Sequence, residues 1–240
     1  NYLTARSQAY ASLTAQSQAL AHSHIEALRD WARSKSLVVA SAAAALEDAD
    51  AAKALNMLAK AGNFHTTYFG YADKRTVFSE AQNLPPDYDP TARPWYRQAA
   101  GSDAAVLTAP YVDAGGAGLV VTFAKAVREG GNVKAVMAGD VSLADVVANV
   151  ASIKPTPSSY AFLVGGDGTI IAHPDVKLAL KPATDVAAAL TAPALAGMAQ
   201  RADLNALDLQ GRPVLLTVAP VTGTPWLLAI ALDRGEALQA

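Results

Sequence analysis

From Tyr2 to Ala61 the chain contains neither proline nor glycine. The stretch is rich in Ala, Leu, Gln, Ser and Glu, and apolar residues recur at helical spacing, with Ile25, Leu28 and Trp31 each three apart. With nothing to break it, it predicts a helix from near the N-terminus to about Ala45, ~65 Å long at ~1.5 Å per residue. That exceeds the diameter of a small domain, so the helix is a scaffold, a dimerising element or a mechanical coupling. A second helix, about Ala49 to Lys60, is expected to stop at Gly62, a residue suited to a C-cap.

The texture changes at His65. Thr66–Tyr71 and Arg75–Ser79 are β-prone around a turn at Ala72-Asp73-Lys74, a hairpin signal. A proline-rich loop follows, and Pro94 suits a first helical turn. Ala105–Tyr111 and Leu119–Arg128 predict strands, and Gly130-Gly131 turns the second into Val133–Val141. Ser142 is placed to cap a helix carrying Leu143, Val146, Val147 and Val150. After a linker at Lys154–Ser158 the pattern restarts. Strands are expected at Tyr160–Val164, Thr169–His173, Asp203–Leu209, Pro213–Ala219 and Trp226–Leu232, with a helix at Asp185–Gln200. The fold class is therefore α+β: a helical spine over 1–62, then modules with antiparallel sheets over 63–153 and 154–240.

Composition removes whole classes of function. The 52% apolar content is too high for a disordered chain. Balanced charge, 19 Lys+Arg against 21 Asp+Glu, argues against nucleic acid as a partner. The absence of cysteine rules out disulfides, thiolate metal sites and a cysteine nucleophile. His22, His24, His65 and His173 have no metal-ligand spacing, so neither a metal nor a cofactor is expected. No nucleophile–base motif suggests an enzyme. No run reaches the ~18–20 apolar residues of a membrane span, and Asn1 in place of Met predicts a segment excised from a longer protein.

The window Tyr88–Asp140 carries the chemistry. Arg93 offers a planar fork of donors that matches a carboxylate, and the Trp95 indole and a tyrosine hydroxyl such as that of Tyr88 add donors. Asp113, Asp140 and the Tyr111 hydroxyl suit an ammonium. Tyr96 supplies a further aromatic wall. A site with one cationic and one anionic end suits a zwitterion, and free α-amino acids are the commonest small ones. Each residue also has a plainer reading: a packed corner for Arg93, Trp95 and Tyr96, a turn for Asp113, a helix cap for Asp140. Tyr68, Phe69, Tyr71 and Asp73 are either pocket walls or ordinary sheet core, and Asp73 either favours a cationic ligand side chain or shapes a turn.

Asp89-Pro90-Thr91-Ala92-Arg93-Pro94-Trp95-Tyr96, Ala109-Pro110-Tyr111-Val112-Asp113 and Ala138-Gly139-Asp140-Val141-Ser142-Leu143 resemble, in order and spacing, the double Cache ligand-binding domain of bacterial chemoreceptors. Tyr160–Val164 through Ala172-His173-Pro174-Asp175 is similar to the start of that family's membrane-proximal module. The resemblance is to the amino-acid-sensing subfamily and covers essentially the whole chain. It implies that Arg93 and Trp95, helped by Tyr88, hold the ligand carboxylate, and that Tyr111, Asp113 and Asp140 hold its ammonium, with Tyr96 in the same motif. Amine-sensing relatives lack the arginine, so Arg93 argues against a pure amine. The implied context is the periplasmic ectodomain of a methyl-accepting chemotaxis receptor in the inner membrane. Homodimerisation through the first helix and contact with cytoplasmic signalling proteins through other domains are expected. Alternatives are the sensor of a histidine kinase or cyclic-dinucleotide enzyme, a free periplasmic binding protein, and ligands such as γ-aminobutyrate, taurine or polyamines.

Overall fold

The computed structural model describes residues 1–237, so positions 238–240, the end of the expected last module, lie outside the described residues. Helix α1 runs Tyr2–Ser41 and tightens into a 3-10 turn at Ala42–Ala45. The Ser41 hydroxyl donates to the Val38 carbonyl at 2.7 Å, competing for an acceptor that the next α-turn would use. Helix α2 (Ala51–Ala61) ends on Gly62, which keeps a helical backbone; the left-handed residue is the next one, Asn63, at φ 54°. Gly62 is needed for space: a Cβ there would lie 2.8 Å from the Phe64 ring and 2.9 Å from Val38.

By contacts the chain divides into two compact units, Trp31–Asp145 and Asn1–Asp30 with Val146–Ala240, so α1 contributes to both. The Trp31–Asp145 unit is built on β1 (Thr66–Tyr71), β2 (Thr76–Phe78), β3 (Val106–Leu107), β4 (Tyr111–Val112), β5 (Leu119–Glu129) and β6 (Asn132–Ser142), with helix α3 (Pro94–Ala100) between β2 and β3. Its antiparallel order is β2-β1-β6-β5-β3, with β4 also on β5. The single strand expected over Ala105–Tyr111 is thus two short ones. Pro110, lacking an N–H, sits in the gap where a continuous ladder would need that donor.

Strand alternation divides this sheet into two faces. Thr67, Phe69 and Tyr71 point to the face that carries α1 and α2. There Thr67 Oγ1 donates to Leu55 O at 2.6 Å, and Phe123 meets Trp31 and Phe64 edge-on at centroid distances of 5.5 and 6.4 Å. Gly139 makes room for Phe64, whose ring would lie 2.7 Å from a Cβ. Lys35 is buried on this side. Its ammonium donates to the carbonyls of Gly62 and Asn63 and lies 4.7 Å from the Phe64 ring centroid. It therefore satisfies orphan carbonyls at the end of α2 while its own pKa is lowered by burial. Tyr68, Ala138, Val136 and Ala124 form the opposite face, against Trp95, Tyr96 and Ala99 of α3.

Helix α4 (Leu143–Ala151) follows β6, and Ser142 Oγ accepts from Asp145 N at 3.2 Å, a cap as expected. The remaining elements are β7 (Tyr160–Gly165), β8 (Ile170–Ala172), α5 (Ala192–Arg201), β9 (Asn205–Leu209), β10 (Arg212–Pro220), β11 (Trp226–Asp233) and α6 (Arg234–Ala237). Their sheet runs β8-β7-β11-β10-β9. Counted within each unit, with β3 and β4 as one broken strand, both sheets have the order 2-1-5-4-3. The helix expected over Asp185–Gln200 starts only at Ala192. Pro193 belongs in a first turn, and the Thr191 hydroxyl caps it by accepting from Ala194 N at 3.2 Å.

Lys35→Met keeps the aliphatic stem and removes the charged donor. Chemical denaturation is expected to show a loss of about 1–2 kcal/mol, because two partly buried carbonyls lose a charge-assisted partner. An unchanged midpoint would mean that the ammonium contributes nothing at the α2 terminus.

Candidate functional site

The segment from Asp89 to Tyr96 builds itself locally. Asp89 Oδ1 accepts from Thr91 N at 2.9 Å and from Thr91 Oγ1 at 2.6 Å, fixing a 3-10 turn at Pro90–Ala92. Arg93 is extended (φ −80°, ψ 151°) at the N-cap of α3, and Pro94 occupies the first turn. Trp95 and Tyr96 are then carried into the sheet. Trp95 is 1% exposed and packs edge-on to Tyr68 with ring centroids 4.9 Å apart. It fits because position 70 is glycine: a Cβ there would lie 2.5 Å from the Trp95 ring and 3.0 Å from Pro90.

Asp140 lies on the same face, paired with Thr66 on one side and Thr122 on the other, and is 1% exposed. Two hydroxyls converge on its Oδ1: Tyr68 Oη donates at 2.6 Å and Thr122 Oγ1 at 2.7 Å. The Thr122 hydrogen being committed, the 2.5 Å contact between Tyr111 Oη and Thr122 Oγ1 has the tyrosine as donor. The chain Tyr111–Thr122–Asp140–Tyr68 thus aims three hydroxyls toward one carboxylate oxygen and polarises them in series. Even so, burial pushes the Asp140 pKa up to about 7, with Asp113 adding to the rise and Arg93 opposing it. Burial likewise raises Tyr88 to about 12, and raises Tyr111 and Tyr68.

Arg93 supplies the opposite charge. Its Nη2 donates to Val112 O at 3.1 Å, and the guanidinium lies 5.6 Å from the Tyr111 ring centroid. Among the described residues no carboxylate is within 4 Å of it, so most of its donors are uncommitted to protein acceptors. Tyr88 is half-buried, and its hydroxyl is close enough to feel Arg93, the Trp95 indole, Asp140 and Asp113. Asp113 plays two parts. Its Oδ2 accepts from Ala117 N at 3.1 Å and shapes the turn into β5, while its charge acts on Asp140.

Six of the seven predicted ligand residues, Tyr88, Arg93, Trp95, Tyr111, Asp113 and Asp140, are therefore brought together. Tyr96 packs in the same core, but the carboxylates acting on its hydroxyl are Asp89 and Asp73. Of the expected pocket walls only Tyr68 is at the site. Phe69 and Tyr71 alternate onto the face that carries α1 and α2, where Tyr71 Oη donates to Leu46 O at 2.9 Å. Asp73 is in the turn, accepting from Arg75 N at 3.1 Å and Arg75 Nε at 2.8 Å. Thr122 and Gly70 are not among the predicted residues; strand register sets Thr122 opposite Asp140, and Gly70 is the position on β1 where the Trp95 ring leaves no room for a Cβ. A cavity of about 750 Å³ lies elsewhere, lined by the α1–α2 connection, Asp73, Arg75 and Lys134. Among the described residues no group of three or more His, Cys, Asp or Glu is placed to hold a metal, and no helix is long and apolar enough to cross a membrane.

A two-charge, aromatic-walled site on one of two sheets with the same strand order is the arrangement of a double sensor module. The chain matches the family model dCache_1, Cache domain, over residues 1–240 and belongs to that family. It is 35% identical over 177 residues to the methyl-accepting chemotaxis protein PctB of Pseudomonas aeruginosa, covering 72% of this chain but only 27% of that receptor. The solved ligand-binding domain of Pseudomonas fluorescens chemoreceptor CtaA with L-alanine is similar at TM-score 0.80 and 26% identity, covering 92% of this chain and 97% of that one. That of PctB with L-Gln is similar at TM-score 0.72 and 28% identity, covering 91% and 90%.

The raised Asp140 pKa has a stability consequence. The folded value, about 7, exceeds the unfolded value of about 4, so the native state binds the extra proton and stability falls as pH rises through that window. Asp140→Asn keeps acceptors for Tyr68 and Thr122 without the charge. Without ligand, its stability relative to wild type is expected to grow from near zero at about pH 4 to a gain on the order of 3–4 kcal/mol above pH 7. A difference that does not change with pH would contradict the burial argument.

Proposed function

We propose that the Trp31–Asp145 unit is the sensor of a transmembrane chemoreceptor and binds an L-α-amino acid between Arg93 and Asp140. The observation that carries this is one cluster holding a guanidinium with uncommitted donors and a buried carboxylate with a raised pKa. Arg93 and the Trp95 and Tyr88 donors hold the carboxylate; Asp140, Tyr111 and Asp113 hold the ammonium. Aromatic walls exclude water and strengthen both ionic contacts. A zwitterion gives both the half-exposed Arg93 and the buried Asp140 a partner, which neither an amine nor a simple anion does. The amino-acid complexes of PctB and CtaA support the same reading.

In this reading residues 63–153 form the membrane-distal ligand-binding module, 154–240 the membrane-proximal module, and 1–62 the spine. The domain lies outside the inner membrane, in the periplasm. Ligand shifts the balance between two conformations by binding one more tightly, and the spine and β11 pass that shift on. A homodimer through α1 and cytoplasmic chemotaxis signalling proteins complete the pathway. No catalytic step is assigned to this cluster.

Calorimetric titration against the standard amino acids is expected to find at least one binder. Arg93→Ala and Asp140→Ala should each weaken it by about 100-fold, because one buried ligand charge loses its partner. γ-Aminobutyrate, taurine and polyamines belong in the same panel. A polyamine that binds equally well to wild type and Arg93→Ala, with no amino acid binding, would replace the zwitterion reading.

A further inference from the structure

The second sheet carries a polar group that the distal site does not use. His173, just beyond β8, is 4% exposed and lies between Tyr160 and Phe162, with ring centroids 5.3 Å from each. Its Nδ1 accepts from Asp175 N at 2.9 Å, so Nδ1 carries a lone pair and the ring hydrogen is on Nε2. That Nε2–H is buried, and no acceptor among the described residues reaches it. A buried donor without a partner costs about 1–3 kcal/mol, so such groups are rare unless something else satisfies them.

His173 also lines a cavity of about 360 Å³ with Lys154, Ser158, Tyr160, Asp175 and Gln210 among its walls. Lys154 is exposed and, among the described residues, forms no ion pair. Arg212 acts on the Tyr160 hydroxyl, so a second cation is near. Two carboxylates oppose them: Asp175, whose Oδ1 is engaged with Lys177 N at 3.1 Å, and Glu236, whose Oε1 accepts from Ser158 N at 2.8 Å and feels Arg212. Elsewhere this unit's interior is filled: Phe162, Leu190, Leu195, Leu216 and Val218 form a continuous apolar core.

We infer that this cavity is a second ligand site, taking a small monocarboxylate whose oxygen accepts from His173 Nε2–H beside the Lys154 ammonium. The charge sets the class. With Arg212 countered by Glu236, one lysine at the wall, a histidine kept neutral by desolvation and an opposing Asp175 suit a single negative charge rather than a phosphate or dicarboxylate. The proline and tyrosine walls suit a short apolar body, and the volume is at the lower end for ligand pockets.

The test is a titration of the whole chain with acetate, propionate and lactate, followed by the imidazole ¹⁵N and ¹H signals of His173 and by calorimetry. One of them is expected to move the Nε2–H resonance saturably. His173→Phe, which keeps the ring packing, and Lys154→Ala should each weaken that binding by about tenfold or more. Asp140→Asn and Arg93→Ala should leave it unchanged, which separates this site from the distal one. No saturable change at millimolar anion, or binding indifferent to His173→Phe, would overturn the inference. So would an Nε2–H signal that is protected and silent to all three anions, since a trapped water then satisfies it. Loss of monocarboxylate binding in Asp140→Asn or Arg93→Ala would place the anion in the distal cluster instead.

Discussion

A carboxylate taken out of water and given only neutral hydroxyls is the constraint around which the Trp31–Asp145 unit is arranged. Tyr68 and Thr122 reduce the cost of burying Asp140 but do not remove it, and its pKa still rises to about 7. A buried charge is normally tolerated only when it is paired. The nearest cation is Arg93, which acts on Asp140 through space but is held by Val112 O and Tyr111 rather than in an ion pair. Two opposite charges kept apart are unfavourable in the free protein and favourable once a molecule with both complementary charges lies between them. The unliganded site is thus less stable than it would be with asparagine.

Much of the rest serves to hold that separation. Gly70 lets Trp95 seat against Tyr68, Asp89 and Pro90 set the turn that presents Arg93, and Thr122 joins Tyr111 to Asp140. The other sheet shares the strand order but is used differently. Its strand-end carboxylate, Asp233, accepts from Glu236 N at 3.0 Å and caps α6, and an apolar core fills its interior. One topology therefore supports a charged site in one unit and a largely apolar core in the other, where Ser159, His173 and Thr217 are buried polar residues.

The parts legible in the sequence were those fixed by short-range chemistry. Asp89, Pro90 and Pro94 dictate the turn and helix start within a few residues, so the placing of Arg93 and Trp95 followed directly. Thr122 was hidden by a bulge. Counting back from the Glu129–Asn132 end of the hairpin pairs Asp140 with Val121, but Lys134 is an extra residue on β6 and shifts the register by one, bringing Thr122 opposite Asp140. The Asp185–Gln200 helix was overextended because alanine content outweighed the signal of Pro193. Phe69 and Tyr71 were grouped with Tyr68 although period-two alternation separates them.

The central claim is that Asp140 becomes a paired carboxylate when the ligand ammonium arrives. Below pH 7 that pairing must expel the proton Asp140 holds in the free protein. Calorimetry of amino-acid binding just below pH 7, in buffers of different ionisation enthalpy, measures this directly. The account predicts an enthalpy that varies with the buffer in the sense of proton release, an affinity that rises toward pH 8, and loss of the linkage in Asp140→Asn. Binding that is tight, buffer-independent and unchanged across this range would contradict it.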